Sequence, residues 1–448
     1  MNPRTASQYG KQNLWLRRVT GNGGSIAHLG RIRFSPPRVP SSDLVVGLRP
    51  WVIAAWAMVV VIATVQRGFP PYAYPVFPIF RASSWHLLAG QDLYAAYNQG
   101  DLFKYSPTFA LLFTPLAALP FAGGLLLWNA LNAVMLWHAV TRLLPPRQAT
   151  IALALLTPEL LVATQASQSN ALVASLIILA FVGIERDWSL APATAIALGA
   201  LTKIFPLAAL SFGVFAHSRR RFSLLFACSL GALVFLPLVA ISPASLLAQY
   251  RSWGALEAKD LLARGESVMG LVACCVRGKW SNWPVQAVGT AILLVPLAIS
   301  RRAWSDLNFR RVFLCSLLGY VVLFNPQAER QSYIIATTGL VVWYVAGPRG
   351  ITRTVILALA LTGAKVVLLV IAAWLLMQRD LLGLVRQPAA DAEAAPSTLT
   401  SGSPLRSTAR LTSALKSYWI GGRHREQPRT QRTDLTDEIA SGARDEVG

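Results

Sequence analysis

The chain has 448 residues, 54% of them hydrophobic and only 14% charged, whereas soluble domains carry about 25% charged residues. Its apolar residues fall in long blocks, almost free of charge, that recur from Trp51 onward and exceed what a globular core of this length can hide. A small soluble enzyme is excluded, and the pattern is that of an all-α polytopic integral membrane protein.

The net charge of +21 comes from 41 Lys and Arg against 20 Asp and Glu. These charges lie between apolar blocks and form no groove or recognition helix, so no nucleic-acid partner is expected. They read as cytoplasmic loops held against anionic membrane lipids. Cys228, Cys274, Cys275 and Cys315 stand in apolar surroundings with no histidine at metal spacing. They read as packing residues, with no metal site and no cofactor implied.

Residues 1–50 form a basic cytoplasmic segment, in which Arg4, Lys11, Arg17, Arg18, Arg31, Arg33, Arg38 and Arg49 face one acid, Asp43. No apolar signal core precedes Arg49, so no removable leader is expected. The first apolar run, from Trp51 to Val65 and extensible to Gly68, therefore starts on the cytoplasmic side. That places residues 67–104 in an external loop.

Further blocks follow at roughly 105–121, 122–140, 149–164, 169–184, 190–216, 222–242, 284–300, 312–324, 331–347 and 352–377. None alternates as a barrel strand does, so all are expected to be helices that satisfy their own backbone. The basic runs His217–Arg221 and Arg301, Arg302, Arg310, Arg311 should both be cytoplasmic. The weaker stretch 266–276 is then re-entrant or lies on the membrane. The expectation is about 10–12 spans and a cytoplasmic tail. An integral membrane domain at 51–385 gives way to a disordered polar tail at 386–448.

The external loop is far longer than a hairpin connection. It carries Arg81, His86, Asp92, Asp101 and Lys104 among four tyrosines, Tyr72, Tyr74, Tyr94 and Tyr97, with Tyr105 directly after it, and an amphipathic stretch, FRASSWHLLAG. This is either an interfacial aromatic belt with solvated charges or a site for a polar substrate at the membrane surface. Pro107 suits a helix start, and Pro115 is expected to kink or interrupt the span that follows.

Ionisable groups at depth are costly and point to function. Glu159, Lys203 and Lys365 are such groups, and Gln165, Gln168 and Asn170 form a polar joint. Lys203, within the 190–216 block, either binds an anionic head group or pairs with a carboxylate such as Glu159. Glu329 and Arg330 either cap a hairpin or join the site. Residue chemistry alone leaves open a transporter or channel, a structural or assembly protein and an integral membrane enzyme.

The stretches IFRASSWHLLAGQDLY, FKYSPTFALLFTPLAALP, QSN, LTKIFPL and, more weakly, ESVMG and FNPQAERQSYIIA resemble glycosyltransferase family 87. These are bacterial polytopic enzymes of the GT-C superfamily, long treated as a domain of unknown function. The resemblance implies a GT-C-like fold in a bacterial plasma (inner) membrane. It also implies transfer of a hexose, often mannose, from a polyprenyl-phosphate donor to a glycan or lipid-linked acceptor on the outer face, in one inverting step. The family's general base is a first-loop Asp about fourteen residues before the glycine matching Gly90, and this chain has Val76 there. Asp101, ahead of Asp92, is the expected substitute as proton acceptor. Arg81, Lys104, Tyr105, Gln168, Asn170, Lys203 and Glu329 are the expected substrate-binding residues, the cations stabilising the leaving phosphate.

Overall fold

Hydropathy blocks become helices even where a proline lies within them, as at Pro115, Pro158 and Pro296. The computed structural model describes residues 45, 47–69, 76–97, 101–260, 263–276, 280–363 and 366–386, and among these there is no strand. They belong to one compact unit, Met1–Pro388. The expected N-terminal segment up to residue 44, Tyr72, Tyr74, Lys365 and the tail beyond Arg386 lie outside the described residues.

In chain order the helices are α1 Arg49–Gly68, α2 Val76–Leu88, α3 Pro107–Ala117, α4 Phe121–Leu143, α5 Pro146–Gln165, α6 Asn170–Glu185 and α7 Leu190–Thr202. A 3-10 segment, Phe205–Phe215, precedes α8 Arg219–Phe235, α9 Pro243–Asp260, α10 Val268–Cys275, α11 Trp283–Ile299 and α12 Leu307–Leu323. Then come α13 Tyr333–Ala346, α14 Ile351–Leu361 and α15 Val366–Arg386. Among the described residues four segments are long and apolar enough to cross a membrane by themselves: Arg49–Gly68, Phe121–Leu143, Arg219–Val239 and Val367–Leu384.

Contacts between helix ends define two ends of the bundle. At one end Arg186 donates to the Arg142 carbonyl at 3.5 Å, Arg310 pairs with Glu185, and the Arg219 guanidinium lies 5.1 Å from the Trp304 ring. Phe215 meets the same Trp304 ring. At the other end Gly68 lies against Ala122, Lys203 meets Asn170, Glu159 meets Arg330, and Gln286 donates to the Phe324 carbonyl. Among the described residues α1, α4 to α7, 205–215, α8 and α11 to α15 run between these ends. That is twelve passes of the bundle, and an even number returns α15 to the basic end from which α1 starts.

Several expected blocks partition differently. The 105–121 block is no pass: Ser106 N–H donates to Leu201 O at 3.4 Å, Arg81 donates to Ala117 O at 2.9 Å, and α4 starts beside Gly68. Both ends of α3 therefore lie at the same end of the bundle. Pro115 neither interrupts nor ends α3 but sits inside it. The 190–216 block is two passes that turn at Lys203, and the 352–377 region is two helices, α14 and α15. Helix α9, absent from the expected set, and the short α10 both stay at the Lys203 end. Part of the 67–104 loop is the helix α2. Of the cysteines expected to pack, Cys315 is buried, but Cys228, Cys274 and Cys275 are exposed.

Two apolar cores result. The larger joins passes through small residues that let helices approach closely, such as Ala139, Ala152, Ala174 and Ala180, with Phe313, Leu317 and Trp343 filling the remainder. The smaller is an aromatic cap over the Lys203 end. In it Phe80 makes edge-to-face contacts with Tyr105, Phe109, Phe113 and Trp128 at centroid distances of 4.8 to 5.8 Å.

Candidate functional site

The break at Lys203 has a local cause. Pro206 has no N–H to donate to the carbonyl four residues back, and its ring would collide with it, so α7 ends at Thr202. Lys203 takes an extended backbone (φ −149°, ψ 141°). Its ammonium donates to the Asn170 Oδ1 at 2.8 Å and lies 5.8 Å from the Tyr105 ring centre and 5.9 Å from that of Phe205. Among the described residues no carboxylate is in ion-pair contact with it. Burial pulls the pKa of its ammonium below the ordinary lysine range, to about 8; from further away Glu329 and Glu257 favour the ammonium and Lys104 opposes it.

Asn170 is held from the other side. The turn between α5 and α6 puts Ser167 in the left-handed region (φ 55°), and its carbonyl accepts from the Trp128 indole at 2.7 Å. This sets Gln168, Ser169 and Asn170 at the head of α6. The Asn170 amide, fully buried, donates to Gln168 Oε1 at 2.7 Å and to Gln331 O at 3.0 Å. Gln168 then donates to Glu329 Oε2 at 2.7 Å, and Gln331 donates to the same oxygen. A continuous chain thus runs Lys203, Asn170, Gln168, Glu329. Two neutral amides separate the cation from the anion.

Tyr105 forms the wall. Its hydroxyl accepts from Ser169 Oγ at 3.1 Å, and its carbonyl accepts from Tyr94 OH at 2.8 Å. Burial pushes both phenols far above their ordinary range, so they stay protonated hydrogen-bond groups. Five expected binding residues, Tyr105, Gln168, Asn170, Lys203 and Glu329, are therefore in one network, with Lys104 within electrostatic reach. Arg81 is not: its Nε caps the last turn of α3 through Ala117 O. The expected pairing of Lys203 with Glu159 is not made either. Glu159, 1% exposed, takes a bidentate pair from Arg330 at 2.7 and 2.8 Å, which pins the 325–332 loop to α5.

The two loop aspartates differ. Asp92 caps its own turn, accepting from Tyr94 N at 3.1 Å, and its second oxygen accepts from Ser252 Oγ at 3.3 Å. Asp101 is exposed and accepts from the adjacent Leu102 N at 2.7 Å, while Ser106, not Asp101, caps α3. Val76, at the position of the resembled family's Asp, begins α2 and packs on the aromatic cap.

Sequence reading missed the α9 contribution. Gln249 accepts from Leu93 N at 3.0 Å and donates to Gln91 O at 2.8 Å, and Leu256 is buried in the cap with Tyr94 and Tyr105. On the next positions the Trp253 indole N–H donates to Glu257 Oε1 at 3.2 Å. The available signal was the Trp–x3–Glu spacing, which puts both side chains on one helical face. It also missed Ser169 and Gln331. Among the described residues no group of three or more His, Cys, Asp or Glu side chains converges as a metal site would require.

The sequence model described as Glycosyltransferase family 87 matches residues 103–326, half of the chain. Lys104, Tyr105, Gln168, Asn170, Lys203, Trp253 and Glu257 all fall within the match, whereas Glu329 lies just beyond it. No curated protein matches the chain.

Proposed function

The chain belongs to glycosyltransferase family 87, a membrane glycosyltransferase acting on a sugar donor and an acceptor, and from that premise we propose the following donor and mechanism. The donor is a polyprenyl-phosphate hexose, mannose before other sugars, and the acceptor is a glycan or lipid-linked hydroxyl on the outer face of a bacterial plasma membrane. The observation that carries this reading is Lys203. It is a cation at a proline-enforced break between passes, hydrogen-bonded to a neutral amide and flanked by aromatic rings. Burial disfavours such an ammonium and no carboxylate in contact offsets it among the described residues, so an anionic ligand stabilises its charge, and a lipid phosphate arrives there with its tail still in the bilayer. The basic end of the bundle supports an outward-facing site, because arginine-rich turns favour the cytoplasm.

In the proposed GT-C-like step the acceptor oxygen attacks the anomeric carbon from the face opposite the phosphate. The carbon–oxygen bond to phosphate breaks with inversion, and its electron pair leaves on the phosphate, stabilised by Lys203 with Lys104 nearby. The acceptor proton passes to a loop carboxylate. Asp101 is preferred to Asp92, whose two oxygens already hold Tyr94 N and Ser252 Oγ. Gln168, Asn170 and Glu329 keep Lys203 aimed, and Tyr105 forms the wall against which the phosphate rests.

The test is transfer by the purified full chain from radiolabelled polyprenyl-phosphate mannose. Lys203→Met should lower kcat/KM by about 10²–10³-fold, with partial recovery in Lys203→Arg. Movement of the intact lipid across vesicles without cleavage of the sugar–phosphate bond would refute the reading, as would wild-type kinetics in Lys203→Met.

A further inference from the structure

Beyond the phosphate, the fold offers a place for the sugar itself. Helix α9 has no role as a pass. It lies at the Lys203 end, tied to the first loop through Gln249 and Ser252 and to α3 through Tyr250, whose hydroxyl lies 3.3 Å from that of Thr108. One turn further, Leu256 closes the aromatic cap beside Tyr94 and Tyr105. The neighbouring Trp253 packs against this same cap, of which Tyr105 is a member, and its indole N–H holds Glu257.

We propose that Trp253 and Glu257 form the subsite for the hexose of the donor, with the indole as a platform for the sugar's C–H face and the carboxylate as acceptor for its hydroxyls. The proposal rests on the reading of Lys203 as the phosphate-binding cation.

Three features argue for a sugar. A pyranose presents an apolar face and a rim of hydroxyl donors, so the complementary surface is an aromatic ring beside an acceptor-only group. Trp253 and Glu257 are both half-buried, and the indole N–H to Glu257 bond fixes one against the other. The carboxylate is also within electrostatic reach of Lys203 and of Tyr94. A sugar esterified to a phosphate at Lys203 is one glycosidic bond away from that cation. It therefore needs its partners within the reach of one sugar ring from that cation.

Two binding measurements on the full chain in nanodiscs test this, one with polyprenyl-phosphate mannose and one with sugar-free polyprenyl phosphate. Glu257→Gln and Trp253→Leu should each weaken the sugar-bearing ligand about 10-fold or more while leaving the sugar-free lipid within about 2-fold. Trp253→Phe, which keeps a ring but no N–H, should fall between. With a panel of mannose, glucose and galactose carriers, Glu257→Gln should also flatten the preference among them. Equal losses for both lipids would show that α9 is only a brace, and unchanged binding in all three variants would remove the subsite. Lys203→Met reads the premise separately, because it must weaken both lipids. If it weakens neither, the phosphate assignment fails, whatever α9 does.

Discussion

The two ends of the bundle handle charge in opposite ways. At the basic end two ion pairs are closed: Arg310 makes a bidentate pair with Glu185 at 2.6 and 2.7 Å, and Arg353 pairs with Asp380 while lying 4.1 Å from the Trp343 ring. At the Lys203 end the Glu159–Arg330 pair is closed in the same manner, but beside it Lys203 and Glu329 are held apart by Gln168 and Asn170. A closed pair cancels its own field and serves position. A cation bonded to neutral amides retains a field that a ligand can use. The difference separates scaffold from site more sharply than burial does, since Glu159 is more deeply buried than any charge in the proposed site.

The comparison breaks first, and by most, at the proton acceptor. Asp101→Asn should lower the transfer rate by about 10²–10⁴-fold with donor binding intact. Asp92→Asn, which removes a turn cap already engaged, should cost less than about 10-fold and mainly lower thermal stability. Both are read as transfer rate at matched membrane abundance. The reverse order would move the base to Asp92. Near-full activity in both would discard the loop carboxylates.

A closed pair should behave differently. Arg310→Met leaves Glu185 without its partner and should destabilise the protein by about 3 kcal/mol, the low end for a buried pair because both side chains keep some exposure. Surviving protein should turn over normally. The double change Arg310→Met with Glu185→Leu should regain much of that loss, since no charge is stranded. Thermal unfolding in detergent, set against kcat/KM of the folded fraction, measures the split. A fall in kcat/KM with no change in unfolding would mean that the basic end takes part in the reaction.

Much of this contrast was legible in the sequence, and the reasons it was only partly so are physical. Lys203, Gln168, Asn170 and Glu329 stand out because polar groups in apolar runs are costly wherever they end up. Their partners do not stand out: Glu159 meets Arg330 across 171 positions, and no local spacing encodes that. The turn at Lys203 was hidden because hydropathy is continuous through residues 190–216, and only Pro206 marks the reversal. The 105–121 block has the composition of a span yet folds as an 11-residue helix in the cap, since an aromatic cluster and a lipid-facing helix are equally apolar. Helix α9 escaped for the opposite reason. It lies at the bundle's end and is too polar to register as a block.

Sidedness sharpens the comparison without touching its energetics. In a background with the exposed Cys228, Cys274 and Cys275 changed to serine, Gln91→Cys at the site end should react with an impermeant maleimide added to intact cells. Arg220→Cys at the basic end should react only after permeabilisation. The opposite pattern would turn the proposed site toward the cytoplasm and exclude an external acceptor.

The smallest expected effect lies in the wall. Tyr105→Phe removes only the hydroxyl that accepts from Ser169, and leaves the ring 5.8 Å from the Lys203 ammonium. One buried hydrogen bond is worth about 0.5–1.5 kcal/mol, so unfolding should shift by about that amount and donor KM should change by no more than a few-fold. Tyr105→Leu removes the ring as well, and with it both a cation–π contact and a member of the aromatic cap. If the ring matters as a neutral wall beside an unpaired cation, the leucine variant should lose donor affinity well beyond its loss of stability, and the phenylalanine variant should not. Equal kinetic losses in the two would instead place the phenol hydroxyl, and not the ring, against the ligand.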